Sequence, residues 1–257
     1  SFFVALLSPP SKRYSFLNLA MVSIIIINMS WTLYFLYPGV FGIDPWFHQS
    51  FVYRIADSGF IPEGYAYSKL PIMHILSIQG ITILGIDYKL SVMLTSGIPL
   101  ILSTIFFSYI IGSKFFNYKI GLLSAASLIL ASYFLINTWW IIPNSLGLIW
   151  LLPLVWILFY KERGKQAYSV ILILIMLVVI LTHTIAAVMI LIMLFVFWIS
   201  PKIYNSLYRK SNNYTNSGII LMFSTIMLTW WIYASGSLRS LASLIEWGFS
   251  RDYFLRY

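Results

Sequence analysis

Cysteine is absent from this 257-residue chain, which excludes disulfides, thiolate metal sites and a cysteine nucleophile. Charge is scarce as well: 9% of residues are charged, against roughly 25% in a water-soluble domain. Only seven residues are acidic and three are histidine. No Gly-rich phosphate loop, metalloprotease helix pattern or Gly-x-Ser-x-Gly elbow occurs, so the commonest phosphate and hydrolase chemistries find no support. No inverted repeat of the transporter kind is visible either. What is abundant is apolar: 60% of residues are hydrophobic, 18% are aromatic, and the mean hydropathy is +0.88. No soluble fold of this size hides so much apolar side chain, so the expected solvent is lipid. The net charge of +9 then reads as membrane orientation rather than nucleic-acid binding, because the basic residues fall in short loops between apolar runs.

The apolar runs predict an all-α, polytopic membrane bundle of about seven spans, forming one transmembrane domain over residues 1–257. The chain starts Ser1-Phe2-Phe3 and stops at Arg256-Tyr257, which reads as a piece of a longer protein. The first span runs from about Phe16 to Leu36, behind Lys12-Arg13. Others follow at about Leu90–Ile111, Ile120–Ile136 and Pro143–Tyr160, with Pro143 suited to a first helical turn. Residues 168–200 are one apolar stretch, about 50 Å long as a single helix against a core of about 30 Å, so they read either as one long tilted span or as two short spans. A hairpin at Thr182-His183-Thr184 puts Lys202, Arg209 and Lys210 on the same side as Lys114, Lys119, Lys161, Arg163 and Lys165. The basic-inside rule favours that arrangement, with a cytoplasmic N-terminus. The last span covers about Gly218–Ser235. Trp139-Trp140 and Trp230-Trp231 fall where interfacial aromatics are expected. Asn213-Tyr214-Thr215 matches a glycosylation acceptor but falls in an expected inner loop, and reads as chance.

Residues 37–89 form the long outer loop. Phe47, Phe51, Ile55 and Phe60 recur at roughly helical spacing with polar residues between them, predicting an amphipathic helix parallel to the membrane. Ser58-Gly59 ends it, and Pro62-Glu63-Gly64 turns the chain. Lys69-Leu70-Pro71 opens a second apolar stretch to about Ile86, either an interfacial or re-entrant helix or a true span that would invert everything downstream; the basic loops argue against the span.

Asp44-Pro45-Trp46-Phe47-His48 follows the first span directly, and a carboxylate where a span leaves the bilayer is a site candidate. Asp44 is also the expected N-cap of the helix after it, with Pro45 at N1. All three histidines, His48, His74 and His183, fall on the same expected side. His183 sits between two Thr inside a strongly apolar stretch, where a polar turn is costly unless paired or wet. Glu63, Tyr65, Tyr67 and Lys69 are candidates to line a polar groove. Arg54, Lys69, Lys89 and Arg239 are the outer cations able to hold a phosphate, although snorkelling to the interface explains each one singly.

A basic stub, one span, and an acidic motif opening an outer loop of two membrane-parallel helices resemble the GT-C superfamily of membrane glycosyltransferases. Asp44-Pro45-Trp46-Phe47-His48 is similar to the first acidic motif of archaeal oligosaccharyltransferase catalytic subunits. Tyr67-Ser68-Lys69-Leu70-Pro71-Ile72-Met73-His74 and Leu181-Thr182-His183-Thr184 resemble stretches of archaeal GT-C-type proteins of unassigned activity. The resemblance implies transfer of a sugar from a polyprenyl phosphate or diphosphate to an acceptor on the outer face, with inversion. It implies Asp44 as the catalytic or metal-binding carboxylate, with a divalent cation such as Mg or Mn as possible cofactor. Together with the outer polar and basic residues above, this leaves Asp44 and His48 as the catalytic candidates, and Arg54, Glu63, Tyr67, Lys69, His74, His183 and Arg239 as the substrate-binding ones. The family's second acidic motif and soluble C-terminal domain have no counterpart; Asp57, Glu63 and Asp87 are the other acids of the loop. That departure favours a metal-independent relative or an inactive one. Two other function classes stay open at this point: a lipid-carrier binder or translocator without chemistry, and a structural subunit of a membrane complex.

Overall fold

The computed structural model describes residues 12–65, 67–159, 166–208 and 217–249, and among them every regular element is helical. In chain order the helices are α1 (Lys12–Leu36), α2 (Ile43–Ser58), α3 (Ile72–Leu84), α4 (Tyr88–Phe115), α5 (Tyr118–Leu130), α6 (Ser132–Trp139) and α7 (Pro143–Leu158). They continue as α8 (Gln166–Thr182), α9 (Thr184–Tyr208), α10 (Ser217–Ser235) and α11 (Ser237–Phe249). Four of them are long and apolar enough to cross a membrane: Ser15–Leu36 within α1, α4, Thr184–Leu207 within α9, and α10. The bent pair α5–α6 makes a fifth if it counts as one span. The apolar stretches in α3, α7 and α8 are shorter, at 10–17 residues. The basic groups Lys161, Arg163, Lys165, Arg209 and Lys210, and Asn213-Tyr214-Thr215, lie outside the described residues.

Sequence grammar explains many of the boundaries. Pro143 does open α7 at its first helical position, where its missing N–H costs nothing. Gly59 ends α2 with a left-handed φ of 73°, its N–H bonding the Ile55 carbonyl. Asp87, one of the loop acids, caps α4 by accepting from the Leu90 N–H at 2.7 Å. The stretch expected as a span over Ile120–Ile136 is bent: α5 and α6 meet at Ala131 at 67°. Polar side chains serve the backbone beyond this bend. Asn137 Nδ2 donates to the Tyr133 carbonyl at 2.8 Å, and Thr138 donates to the Leu135 carbonyl at 2.6 Å. Asn144 Nδ2 then reaches the Tyr133 hydroxyl at 2.8 Å, and Ser145 the Asn137 amide oxygen at 3.3 Å.

Two apolar cores lie side by side. The first joins α1, α3, α4, α5 and the early part of α7, through residues such as Ile26, Met73, Ile101 and Leu122. The second joins the late part of α7 with α8, α9 and α10, through Leu154, Met176, Ile190, Phe223 and Trp231. Trp150, at a break in α7, packs against both. The helix breaks at His183 as expected. Both α8 and α9 pack against Pro143–Ile149 and against α10, so the break folds the chain back instead of extending one rod. Close approach is allowed by small residues: a Cβ on Gly121 would sit 2.0 Å from Ser113 Oγ and 2.6 Å from the Tyr109 carbonyl oxygen. Ile24, Met189 and Leu221 stay exposed in mid-helix, as lipid-facing side chains do.

One of the expected interfacial tryptophans is a correction: Trp231 is fully buried in the second core, where packing claims its ring. Trp139, Trp140 and Trp230 are half-buried, and Trp139 and Trp140 pack on Phe41 with ring centroids 5.4 and 6.2 Å away.

Candidate functional site

The site begins at Gly42. Its φ of 97° suits only glycine without strain, and a Cβ there would stand 3.0 Å from the Trp140 ring. Gly42 is therefore the residue at which α2 starts, so Asp44 is not the N-cap and Pro45 is not at N1, contrary to expectation. Asp44 instead occupies the exposed first turn, where a negative charge suits the positive end of the helix dipole. The buried face of α2 is also shifted. Pro45, His48, Phe51, Val52 and Ile55 point inward, while Phe47 is exposed and Phe60 lies beyond the helix end.

His48 enters the protein one turn after Asp44 and is 2% exposed. Its Nδ1 lies 3.0 Å from Nε2 of His74, which is fully buried on α3. Phe51 meets the His74 ring edge-on at 4.8 Å. Tyr67, from the loop between α2 and α3, is the hub. Its ring lies 4.6 Å from that of His48, 5.5 Å from that of His74, and stacks on His183 at 6.2 Å and 21°. Three imidazoles from three distant stretches of chain thus meet around one phenol.

Burial holds His48 down at about 3, helped by the neighbouring imidazoles of His74 and His183, and holds His74 at about 3. His183, in the turn between α8 and α9, is likewise pushed down to about 4 by burial. All three are neutral at physiological pH. Burial, and after it the negative charge of Asp44, pushes the Tyr67 phenol up to about 12. The Asp44 carboxylate therefore acts on the cluster through its charge although it faces solvent. The hydrogen-bond network selects a tautomer. Nδ1 of His74 is buried without a partner. If His48 donated to His74, that Nδ1 would carry an orphaned buried N–H, the rarer defect in proteins. The alternative has His74 donate Nε2–H to His48 Nδ1, leaving the His48 proton on Nε2, away from His74.

The other expected ligands divide. Arg54 bonds the Tyr65 hydroxyl and lies over its ring, 5.3 Å from the centroid, so it braces the loop. Lys89 is committed too: its ammonium bonds the Tyr37 carbonyl at 2.5 Å and lies 4.8 Å over the Tyr34 ring. Glu63 and Lys69 are exposed. Arg239 lies apart, on a groove of about 530 Å³ with Trp231, Ile232, Leu238 and Ala242. Among the described residues no three His, Asp or Glu side chains are placed to hold a metal ion. A divalent cation at Asp44 would take most of its oxygens from water and a donor phosphate, as Mg commonly does.

One contact was not foreseen. The Trp230 indole donates to the Lys69 carbonyl at 3.2 Å, tying the end of α10 to the loop that carries Tyr67. Beside it an apolar groove of about 490 Å³ runs between α8 and α10, lined by Leu177, Leu181, Thr225, Thr229, Trp230 and Tyr233. Leu181 lies two residues before His183, so the groove opens next to the cluster. The Trp230 doublet was visible in the sequence, but nothing local pointed its indole at residue 69.

Among the described residues, fold and site together show an all-helical arrangement with four or five helices able to span a membrane, consistent with a membrane protein, and a neutral imidazole–phenol cluster where several helices end. No family model matches the chain, and the searches of curated proteins and of solved structures return no match.

Proposed function

We propose that the chain is a membrane glycosyltransferase of the GT-C kind, taking a sugar from a polyprenyl-phosphate-type donor. One observation carries this reading: His48, His74 and His183 gather on Tyr67, whose phenol feels the charge of Asp44, with an apolar groove of about 490 Å³ between α8 and α10. In this reading α1, α4, the bent α5–α6 pair, α7, α8, α9 and α10 make seven crossings, with α2 and α3 parallel to the membrane on the outer face. The N-terminus is cytoplasmic.

Asp44 is the base. It removes the proton of an acceptor hydroxyl as that oxygen attacks the anomeric carbon. The bond from that carbon to the phosphate oxygen breaks, its electron pair leaves with the polyprenyl phosphate, and the sugar inverts. His48 does not serve as base, because Nε2, the nitrogen away from His74, carries a proton in this tautomer. It donates a neutral hydrogen bond to the substrate, while the exposed Lys69 ammonium meets the departing phosphate. Tyr67, His74 and His183 form the wall that orients His48. Lipid tails lie in the groove between α8 and α10.

The test uses the purified protein in liposomes with a panel of polyprenyl-phosphate hexoses, following release of polyprenyl phosphate. Asp44→Asn should lower release by about a hundredfold or more while the helical signal and melting temperature persist. No release from any donor by the wild-type chain, with donor binding intact, would replace the enzyme by a lipid-carrier binder.

A further inference from the structure

The last helix, α11, has a surface that the proposed chemistry does not use. It follows α10 after a single left-handed residue, Gly236, with φ 66°. Ser235 and Ser237 hydroxyls meet at 2.6 Å across this joint, and the Ser237 N–H bonds Ser235 Oγ at 3.2 Å. The joint is therefore a capped corner between two helices, not a loose tail.

Along α11 the residue types segregate at helical spacing. Leu238, Leu241, Ile245 and Phe249 fall along one side, and Arg239, Ser243 and Glu246 on the other. In a soluble bundle the apolar side would be covered. Here Leu238 is 42% exposed, Ile245 51% and Phe249 86%. This uncovered strip continues the apolar surface of α10, where Leu221, Leu228 and Ile232 are also exposed. Among the described residues, α11 is tied to the protein near its start, where Leu241 packs on the second core.

We infer that α11 is a membrane-surface helix, lying in the bilayer interface with its Leu238–Ile245–Phe249 side in the acyl boundary. The argument is continuity: α10 delivers α11 to the point where a span leaves the bilayer, and the exposed apolar side runs on without a gap. A helix with one apolar and one charged side, joined to a span by a tight corner, fits the interface and neither pure water nor the hydrocarbon centre. The inference also gives Arg239 a role away from the histidine cluster. It faces the headgroups on the polar side, as snorkelling arginines do. Since Trp230 ties the end of α10 to Lys69, α11 lies on the same side of the membrane as the cluster.

The chain's lack of cysteine makes the test clean. Single cysteines Ser243→Cys and Ile245→Cys, with Leu221→Cys as a mid-span reference, are labelled with a polarity-sensitive fluorophore in phosphatidylcholine–phosphatidylglycerol vesicles. The expected result is a blue-shifted Ile245 label quenched by nitroxide lipids, and a Ser243 label quenched by aqueous iodide. Equal iodide quenching at both positions places α11 in water and overturns the inference. Protection of Ile245 from both quenchers means that protein covers this side, and overturns it too. Lipid quenching of the Leu221 label verifies that the variants are folded in the bilayer.

Discussion

The His48–His74 pair shows what burial does to an imidazole. Both rings are held neutral far below the usual histidine range, down at about 3. In the unfolded chain they return to about 6.5, so between those two values the unfolded state binds more protons than the folded one. Stability is therefore complete above about 6.5 and drains away as the pH falls toward 3. A melting-temperature series in detergent should fall through that window and be flat from pH 7 to 8. His74→Phe keeps a ring in the same space but leaves Nδ1 of His48 without its donor. It should cost about 1–3 kcal/mol and flatten the pH slope. An unchanged slope in His74→Phe would show that the pair is not what senses acid.

At the level of elements, glycine sets how closely helices approach. Where α4 meets α5, Gly121 faces the Ser113 side chain and the Tyr109 backbone with no room for a methyl group. The serine can rotate away, but the carbonyl cannot. Gly121→Ala should destabilise the protein by about 1–3 kcal/mol through overpacking, measured as a lower thermal midpoint. Gly59→Ala is the contrast. Nothing lies within 4 Å of its Cβ position, so only the left-handed φ of 73° is penalised, by about 1 kcal/mol. If both variants melt alike, steric closeness between α4 and α5 is not what limits that interface. The α8–α9 corner works by the same economy, with Ala186 set against Gly147 so that α9 can leave His183 alongside α7.

For the whole molecule the question is sidedness. The loop carrying Tyr67, the His183 corner and the end of α10 come together, so whichever side holds one holds them all. Lys202, near the far end of α9, lies over the Trp198 ring at 3.4 Å. With the N-terminus cytoplasmic, a membrane-impermeant maleimide added outside intact cells should label Glu63→Cys and spare Lys202→Cys until the cells are opened. Labelling of Lys202→Cys from outside would turn the proposed orientation over.

The helical class, the long apolar helices and most helix ends were legible in the sequence, because each depends on local quantities. Apolar run length, a proline at a first turn, a glycine after a last one, and a polar break at His183 act within a few residues of themselves. The three histidines were also legible as a group, from sidedness alone. Tertiary structure decided the rest. It bent α5–α6 at Ala131 amid apolar sequence, buried Trp231, committed Arg54 to Tyr65 and Lys89 to Tyr37, and moved the start of α2 back to Gly42. It alone set His74 Nε2 against His48 Nδ1. Such contacts join residues far apart in the chain, and the direction of a side chain across an interface depends on packing that no local periodicity records.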